Sequence, residues 1–262
     1  MSEKTPLMTR RASKPETTPG DELRATWKTR LFAVWAVGWA SLMTVVFAVG
    51  YLVSNLIRSK PGTFRWWASR WGRSILFGIG VRLHVEERGE LDPAQPYVFI
   101  ANHQNALDIP VLAAALRHPF GFVAKAELEK TPFLGWVLQH SPSVFVDRRD
   151  PRRSLESIRR AGERIRNGNS VIIFPEGERT FCGEMVPFQK GAFVLAVEAG
   201  VPMVPLAIRD AYRVLDERRH AARPGVIHVV VGEPIPLENQ RRRDIPMLME
   251  KAREAIAREL CT

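Results

Sequence analysis

A chain of 262 residues with 45% apolar and 25% charged residues can fold one good-sized globular core plus an appendage. Seven of its 38 basic and four of its 28 acidic residues lie in 1–57, so most of the net charge of +10 belongs to the remainder and suits anionic headgroups, phosphorylated substrates or an acidic partner. The two cysteines, Cys182 and Cys261, stand far apart and outside any metal-ligand spacing, which argues against a disulfide framework and a zinc site.

Residues 1–30 are rich in Thr, Pro, Ser, Lys and Arg without apolar periodicity and read as a disordered tail without chemistry. Residues 31–57 carry no charged side chain and are bounded by Lys28 and Arg30 before and Arg58 and Lys60 after. At about 1.5 Å per residue a helix over this run reaches about 40 Å, more than the roughly 30 Å hydrocarbon core of a bilayer. The run begins too late for a cleaved signal peptide. A buried core helix would keep a polar stripe, whereas Trp35, Trp39 and Tyr51 suit interfacial depths. Basic residues flank both ends, so a single crossing and a shallow dip into one leaflet both stay open.

From Phe64 to Phe77 aromatic and basic residues interleave, with Arg65, Trp66, Trp67, Arg70, Trp71 and Arg73 between them. The mixture suits a helix lying in the membrane interface, with indoles at headgroup level and Arg stems reaching outward. It would also serve as a platform for single-stranded nucleic acid. Its place directly after the apolar run favours lipid, and no nucleic-acid partner is expected. The organisation is therefore a tail over 1–30, a membrane anchor with an interfacial helix over 31–80, and a folded domain over 81–262.

Within that domain, strand-like runs at 81–85, 97–101, 120–123, 143–146, 171–174, 203–208 and 226–231 are separated by helical segments near 109–116, 151–167, 192–198 and 245–260. The alternation predicts a layered α/β domain, its strands covered on both faces by helices.

Three polar clusters follow strand ends, where open α/β sheets place their sites, and a proline-bracketed strand makes a fourth block. The first is Asn102, His103, Gln104, Asn105, Ala106, Leu107 and Asp108. On one continuous helix His103 and Asp108 would point about 140° apart, so they converge only through a turn, which the strand end supplies. A neutral imidazole can take a proton from an attacking hydroxyl while a carboxylate on its other nitrogen fixes the tautomer. The plain alternative is a surface turn with Asp108 capping the helix. The second cluster, Phe174, Pro175, Glu176, Gly177, Glu178 and Arg179, offers a glycine for close backbone approach and a guanidinium fork for phosphate oxygens, with Glu176 placed to orient Arg179 or bind a substrate hydroxyl. Phe145, Val146, Asp147 and Arg148 end a third strand, and Val201, Pro202 and Pro205 bracket a fourth, with Lys190 a further cation near it.

Together and in this order, the four blocks resemble the glycerolipid acyltransferase superfamily, especially the bacterial 1-acylglycerol-3-phosphate acyltransferases, over roughly residues 81–235. The resemblance implies an acyltransferase domain with a mostly parallel central sheet flanked by helices, and a catalytic dyad at His103 and Asp108. It further implies acceptor or phosphate binding at Arg148, Glu176, Gly177, Arg179 and Lys190, and donor-pocket or structural roles for Asn102, Phe174, Pro175, Val201, Pro202 and Pro205. Asn105 stands where the family commonly has serine, Pro142 where it often has Gly, and Glu178 where it has a hydroxyl residue; a carboxylate beside a phosphate site puts the acceptor in question. The implied reaction needs no metal or redox cofactor. It moves a fatty acyl group from acyl-CoA or acyl-acyl carrier protein to lysophosphatidic acid, at the cytoplasmic face of the inner membrane. A lyso-ornithine lipid or another lysophospholipid is the rival acceptor, and a membrane-tethered basic binding module is the rival of another class.

Overall fold

The computed structural model describes residues 23–57, 62–147, 151–237 and 240–261. Helix α1 spans Trp27–Ile57 and begins before the uncharged run. The Oγ1 of Thr26 accepts the backbone N–H of Thr29 at 3.3 Å, a capping bond that fixes the helix start and shortens the expected tail from its C-terminal side. The rest of that tail, residues 1–22, lies outside the described residues.

Helix α2, Thr63–Gly78, runs antiparallel to α1 and is tied to it by indoles. Trp35 Nε1 donates to the carbonyl of Gly78 at 3.0 Å, Trp39 Nε1 to that of Ser74 at 2.9 Å, and Trp71 Nε1 to the Thr44 hydroxyl at 3.1 Å. The polar ends of Trp39 and Tyr51, expected at a membrane interface, instead bond the protein, Tyr51 through its hydroxyl to the carbonyl of His140. Helix α2 also departs from a purely interfacial helix. Phe64, Ala68, Ile75 and Leu76 recur at helical spacing and are buried. Only the opposite side, with Trp66 under the Arg70 guanidinium and with Phe77, faces outward.

The buried side of α2 lies on α3, Asp108–Ala115, at very short range. A Cβ placed on Gly72 would come within 2.3 Å of the Pro110 carbonyl oxygen, so the helices meet backbone to side chain-free backbone. The small residues Ala113, Ala114 and Ala115 complete that close packing.

Seven strands form one sheet: β1 Val81–Glu87, β2 Val98–Ala101, β3 Gly121–Lys125, β4 Val144–Val146, β5 Val171–Ile173, β6 Met203–Arg209 and β9 Gly225–Val231, in the order β1-β9-β6-β2-β5-β3-β4. All adjacent pairs are parallel except β6 with β9. A two-stranded hairpin, β7 Leu215–Asp216 and β8 Ala221–Ala222, follows the short α7, Ala211–Val214. The central strands are buried throughout because helices cover both faces, and the period of two sorts their side chains. Phe99, Ala101, Ile172 and Leu206 join α2 and α3 in one cluster. Val98, Ile100, Val171 and Met203 join α5 Pro151–Arg166, α6 Lys190–Ala199 and α8 Ile245–Leu260 in the other. Full burial of one such side chain as Phe99 contributes roughly 1.5–3 kcal/mol. The carboxyl ends of β2, β5, β3 and β6 consequently open on the same edge of the sheet.

Candidate active site

The chain leaves β2 in a turn over residues 102–107 before α3 begins at Asp108. Asn102 fastens that turn to β6, its Nδ2 donating to the Ile208 carbonyl at 2.9 Å and its Oδ1 accepting the Ile208 amide at 2.7 Å. Gln104 donates to the same carbonyl, and Asn105 Nδ2 donates to the carbonyls of Ala211 and Leu215. With the turn pinned, His103 and Asp108 converge: Nδ1 of His103 lies 2.7 Å from Oδ2 of Asp108. The same oxygen accepts the amides of Gln104 at 2.6 Å and Asn105 at 2.9 Å. Asp108 is fully buried, and burial pushes its carboxyl above the ordinary range while the His103 bond, the imidazole charge and the two amides pull the other way. With a carboxylate on Nδ1, the imidazole holds its proton there and leaves Nε2 to accept one from a molecule beside it.

The turn after β5 supplies the other wall. Phe174 stacks on the His103 ring at 4.1 Å between centroids. Glu176 is buried, and its carboxylate holds two backbone amides while Arg179 pairs with a different carboxylate. Oε1 of Glu176 accepts the His103 backbone N–H at 2.7 Å and its Oε2 the Val186 N–H at 2.9 Å, so it spaces the two turns. Burial raises its carboxyl to about 7 against the pull of those two amides. Gly177 has φ 75, a left-handed conformation that favours glycine, and its missing side chain leaves room for the Gln189 amide packed against it.

His103 opens into a cavity of about 510 Å³. Thr44, Phe47, Ala48 and Tyr51 of α1 and Phe64, Trp67, Ala68 and Trp71 of α2 form one side, and Phe122, Val123, Leu128, Leu134, Val137 and Leu138 the other. The last four belong to or adjoin a 3-10 turn, Ala126–Lys130, and α4, Leu134–Gln139. Among the lining residues Arg179 and Lys125 are the cations, on the strand-end side with His103. An imidazole poised to accept a proton therefore sits between a long apolar chamber and two positive charges.

The family model described as Acyltransferase matches residues 82–209. The 1-acyl-sn-glycerol-3-phosphate acyltransferase of Saccharomyces cerevisiae is 31% identical over 183 residues, which cover 69% of this chain and 59% of the yeast protein. The protein of the same name from Pseudomonas aeruginosa is 33% identical over 184 residues, covering 70% of this chain and 69% of its own length. The chain belongs to the glycerolipid acyltransferase family. The crystal structure of the 1-acyl-sn-glycerophosphate (LPA) acyltransferase from Thermotoga maritima shares the fold, with a TM-score of 0.76 over 89% of this chain and 95% of that one at 24% identity. Matches span 59% and 49% of the length of the yeast and Chlamydomonas reinhardtii relatives.

Against the acyltransferase blocks, the structure brings His103, Asp108, Phe174, Gly177 and Arg179 together at the cavity and leaves others aside. Lys190 is exposed at the first residue of α6, because the preceding segment is held by a bond from the Gln189 amide to the Pro175 carbonyl and turns Phe188 inward instead. Val201 packs in the core beneath the sheet, Pro202 accepts the Val98 amide at 3.1 Å, and Pro205 lies within β6 opposite Ile100; none of the three lines the cavity. Pro175 is buried behind the turn. Arg148 lies outside the described residues. Asn105, at the position where serine is common, is a scaffold residue with five hydrogen bonds, while Glu178 faces solvent. Sequence reasoning missed two charges. Lys125 carried a signal in being the last residue of a strand, like the other blocks, whereas Glu217, which binds Arg179 from the β7–β8 turn, carried none.

Proposed function

We propose that this acyltransferase moves a fatty acyl group from acyl-CoA or acyl-acyl carrier protein to the free hydroxyl of lysophosphatidic acid, giving phosphatidic acid. The observation that carries the reading is the position of the His103–Asp108 pair where an apolar chamber meets Arg179 and Lys125. His103 Nε2 takes the hydroxyl proton and the oxygen adds to the thioester carbonyl. The C–S bond then breaks and the thiolate takes the proton back from the imidazolium, so the reaction closes without a further cofactor. The chamber suits the acyl chain, and the two cations suit the acceptor phosphate. The curated names of the relatives point to the same acceptor.

The membrane reading gains from the way α1 is held. It is long and apolar enough to cross a bilayer. Its side facing the domain is bonded at Trp35, Trp39, Thr44 and Tyr51, and its other side exposes Leu31, Val34, Val45, Val49 and Val53. A helix fastened along its length to a folded domain lies with that domain on the membrane surface, apolar side down. The side proposed for the domain is the cytoplasmic face of the inner membrane, because soluble thioester carriers must meet the lysolipid hydroxyl there.

Turnover of lysophosphatidic acid, lyso-ornithine lipid, lysophosphatidylcholine and a monoacylglycerol, each with both thioester donors, tests the proposal. It requires the highest kcat/KM for lysophosphatidic acid, and a stronger preference for any other acceptor overturns it.

A further inference from the structure

Arg179 does not face the chamber uncommitted. Its Nη1 donates to Oε2 of Glu217 at 2.5 Å. The other oxygen of the same carboxylate accepts the backbone N–H of Ala106, in the dyad turn, at 2.6 Å. Arg179 and Ala106 both line the chamber beside His103. One carboxylate thus bridges a guanidinium and a backbone amide across the mouth of the site, in the arrangement that two oxygens of a phosphate group would adopt.

We infer that Glu217 is an acceptor-selecting latch, an internal anion that holds the phosphate subsite and is exchanged for the phosphate monoester of the incoming lysolipid. The inference rests on the acceptor assigned above and adds the residue that sets its affinity.

Two features make exchange feasible. The pair is open to water, with side chains 43% exposed at Arg179 and 25% at Glu217, so its attraction is screened and weak. The hairpin bearing Glu217 is also anchored independently of it. Arg218 lies over the Phe181 ring at 4.3 Å and donates to the Thr180 carbonyl, Asp216 caps the Arg218 and Arg219 amides, and Asn105 holds the Leu215 carbonyl. The carboxylate can swing away while its loop stays. A phosphate monoester carries up to two charges where the carboxylate has one, and so competes for Arg179 better than a neutral or zwitterionic headgroup does. The selectivity problem raised by Glu178 thereby moves to a different acidic residue.

The test is steady-state kinetics of full-length Glu217→Gln with lysophosphatidic acid in mixed micelles, varying acceptor and donor separately. The amide keeps the size but offers one acceptor oxygen and no charge. The latch predicts that KM for lysophosphatidic acid falls roughly two- to five-fold, the worth of an exposed ion pair, with kcat and the donor KM nearly unchanged. An unchanged or raised acceptor KM, or kcat and donor KM moving with it, assigns Glu217 a structural role and overturns the inference. If Glu217→Gln does not fold, Glu217→Asp carries the same test, since its shorter stem withdraws both carboxylate oxygens from Arg179 and Ala106. A wild type that makes no phosphatidic acid refutes the acceptor assignment instead. The latch is then read from calorimetric titration with sn-glycerol 3-phosphate, whose affinity rises in Glu217→Gln if the latch exists and stays level if it does not.

Discussion

Asp108 performs two tasks with one oxygen, holding the His103 imidazole and the amides of Gln104 and Asn105. Asparagine and alanine therefore separate the tasks. Asp108→Asn can keep the amide bonds while removing the counter-charge of the imidazolium, and kcat should fall by about 10²–10⁴-fold with acceptor KM little changed. Asp108→Ala leaves buried amides unpaired and should also cost about 1–3 kcal/mol in denaturant unfolding. Equal kcat in wild type and Asp108→Asn would remove the dyad from the mechanism. Glu176 makes a pH prediction. Its carboxyl is raised from 4.5 to about 7 in the fold, so it binds its proton more tightly folded than unfolded. The stability this contributes is complete below about pH 4.5 and is lost as pH rises through about 7. The Tm of Glu176→Gln minus that of wild type should thus climb across this interval, and a flat difference would show that burial does not control the group. That His103 and Asp108 pair and that Arg179 lies at the same cavity was legible in the sequence, because each stands in a short local block at a strand end. The task of Glu176 was not, because its partners, the His103 and Val186 amides, reach it only through the folded turns.

At the scale of elements, α8 was legible to its end residues and α5 nearly so, since both carry a strong apolar stripe. The seven sheet strands were legible as apolar runs between turn residues, but the short α4, α7 and the β7–β8 hairpin were not. Helices of four or six residues are too short to show a helical period and two-residue strands too short to show an apolar run, and the hairpin is held by tertiary bonds such as that from Asn105 to Leu215. Helix α2 was read by composition when its spacing carried the better signal: Phe64, Ala68, Trp71 and Ile75 make a core-facing stripe. Its seat on α3 depends on Gly72. Gly72→Leu forces a side chain into the Pro110 carbonyl and should cost about 1–3 kcal/mol or more, lowering Tm. An unchanged Tm would mean that α2 and α3 do not meet closely at Gly72. Helix α1 is part of the chamber itself, since Thr44, Phe47, Ala48 and Tyr51 wall it. Removing residues 1–57 should therefore abolish most turnover even on detergent-dispersed substrate, where membrane binding is irrelevant. Full activity of the truncated protein in micelles would show the chamber is not the acyl site.

For the whole molecule, the fold sets two environments against one pair of side chains. The parallel strands deliver His103, Phe174 and Lys125 to one sheet edge, while the α1–α2 hairpin lays an apolar roof over that edge and presents its outer side away from the domain. In the proposed reaction a lysolipid held at the headgroup plane would bring its hydroxyl to His103 without leaving the bilayer, and a soluble thioester would reach the same point from the aqueous side. The proposed mechanism has His103 remove the proton from an acceptor hydroxyl at this point. Its most direct test is the rate of phosphatidic acid formation by purified full-length wild type and His103→Ala on vesicles containing lysophosphatidic acid, with saturating thioester and the product measured by mass spectrometry. A fall of about 10²–10⁴-fold in kcat, with vesicle binding and Tm preserved, is the predicted result. Turnover by His103→Ala within a few-fold of wild type would contradict the account.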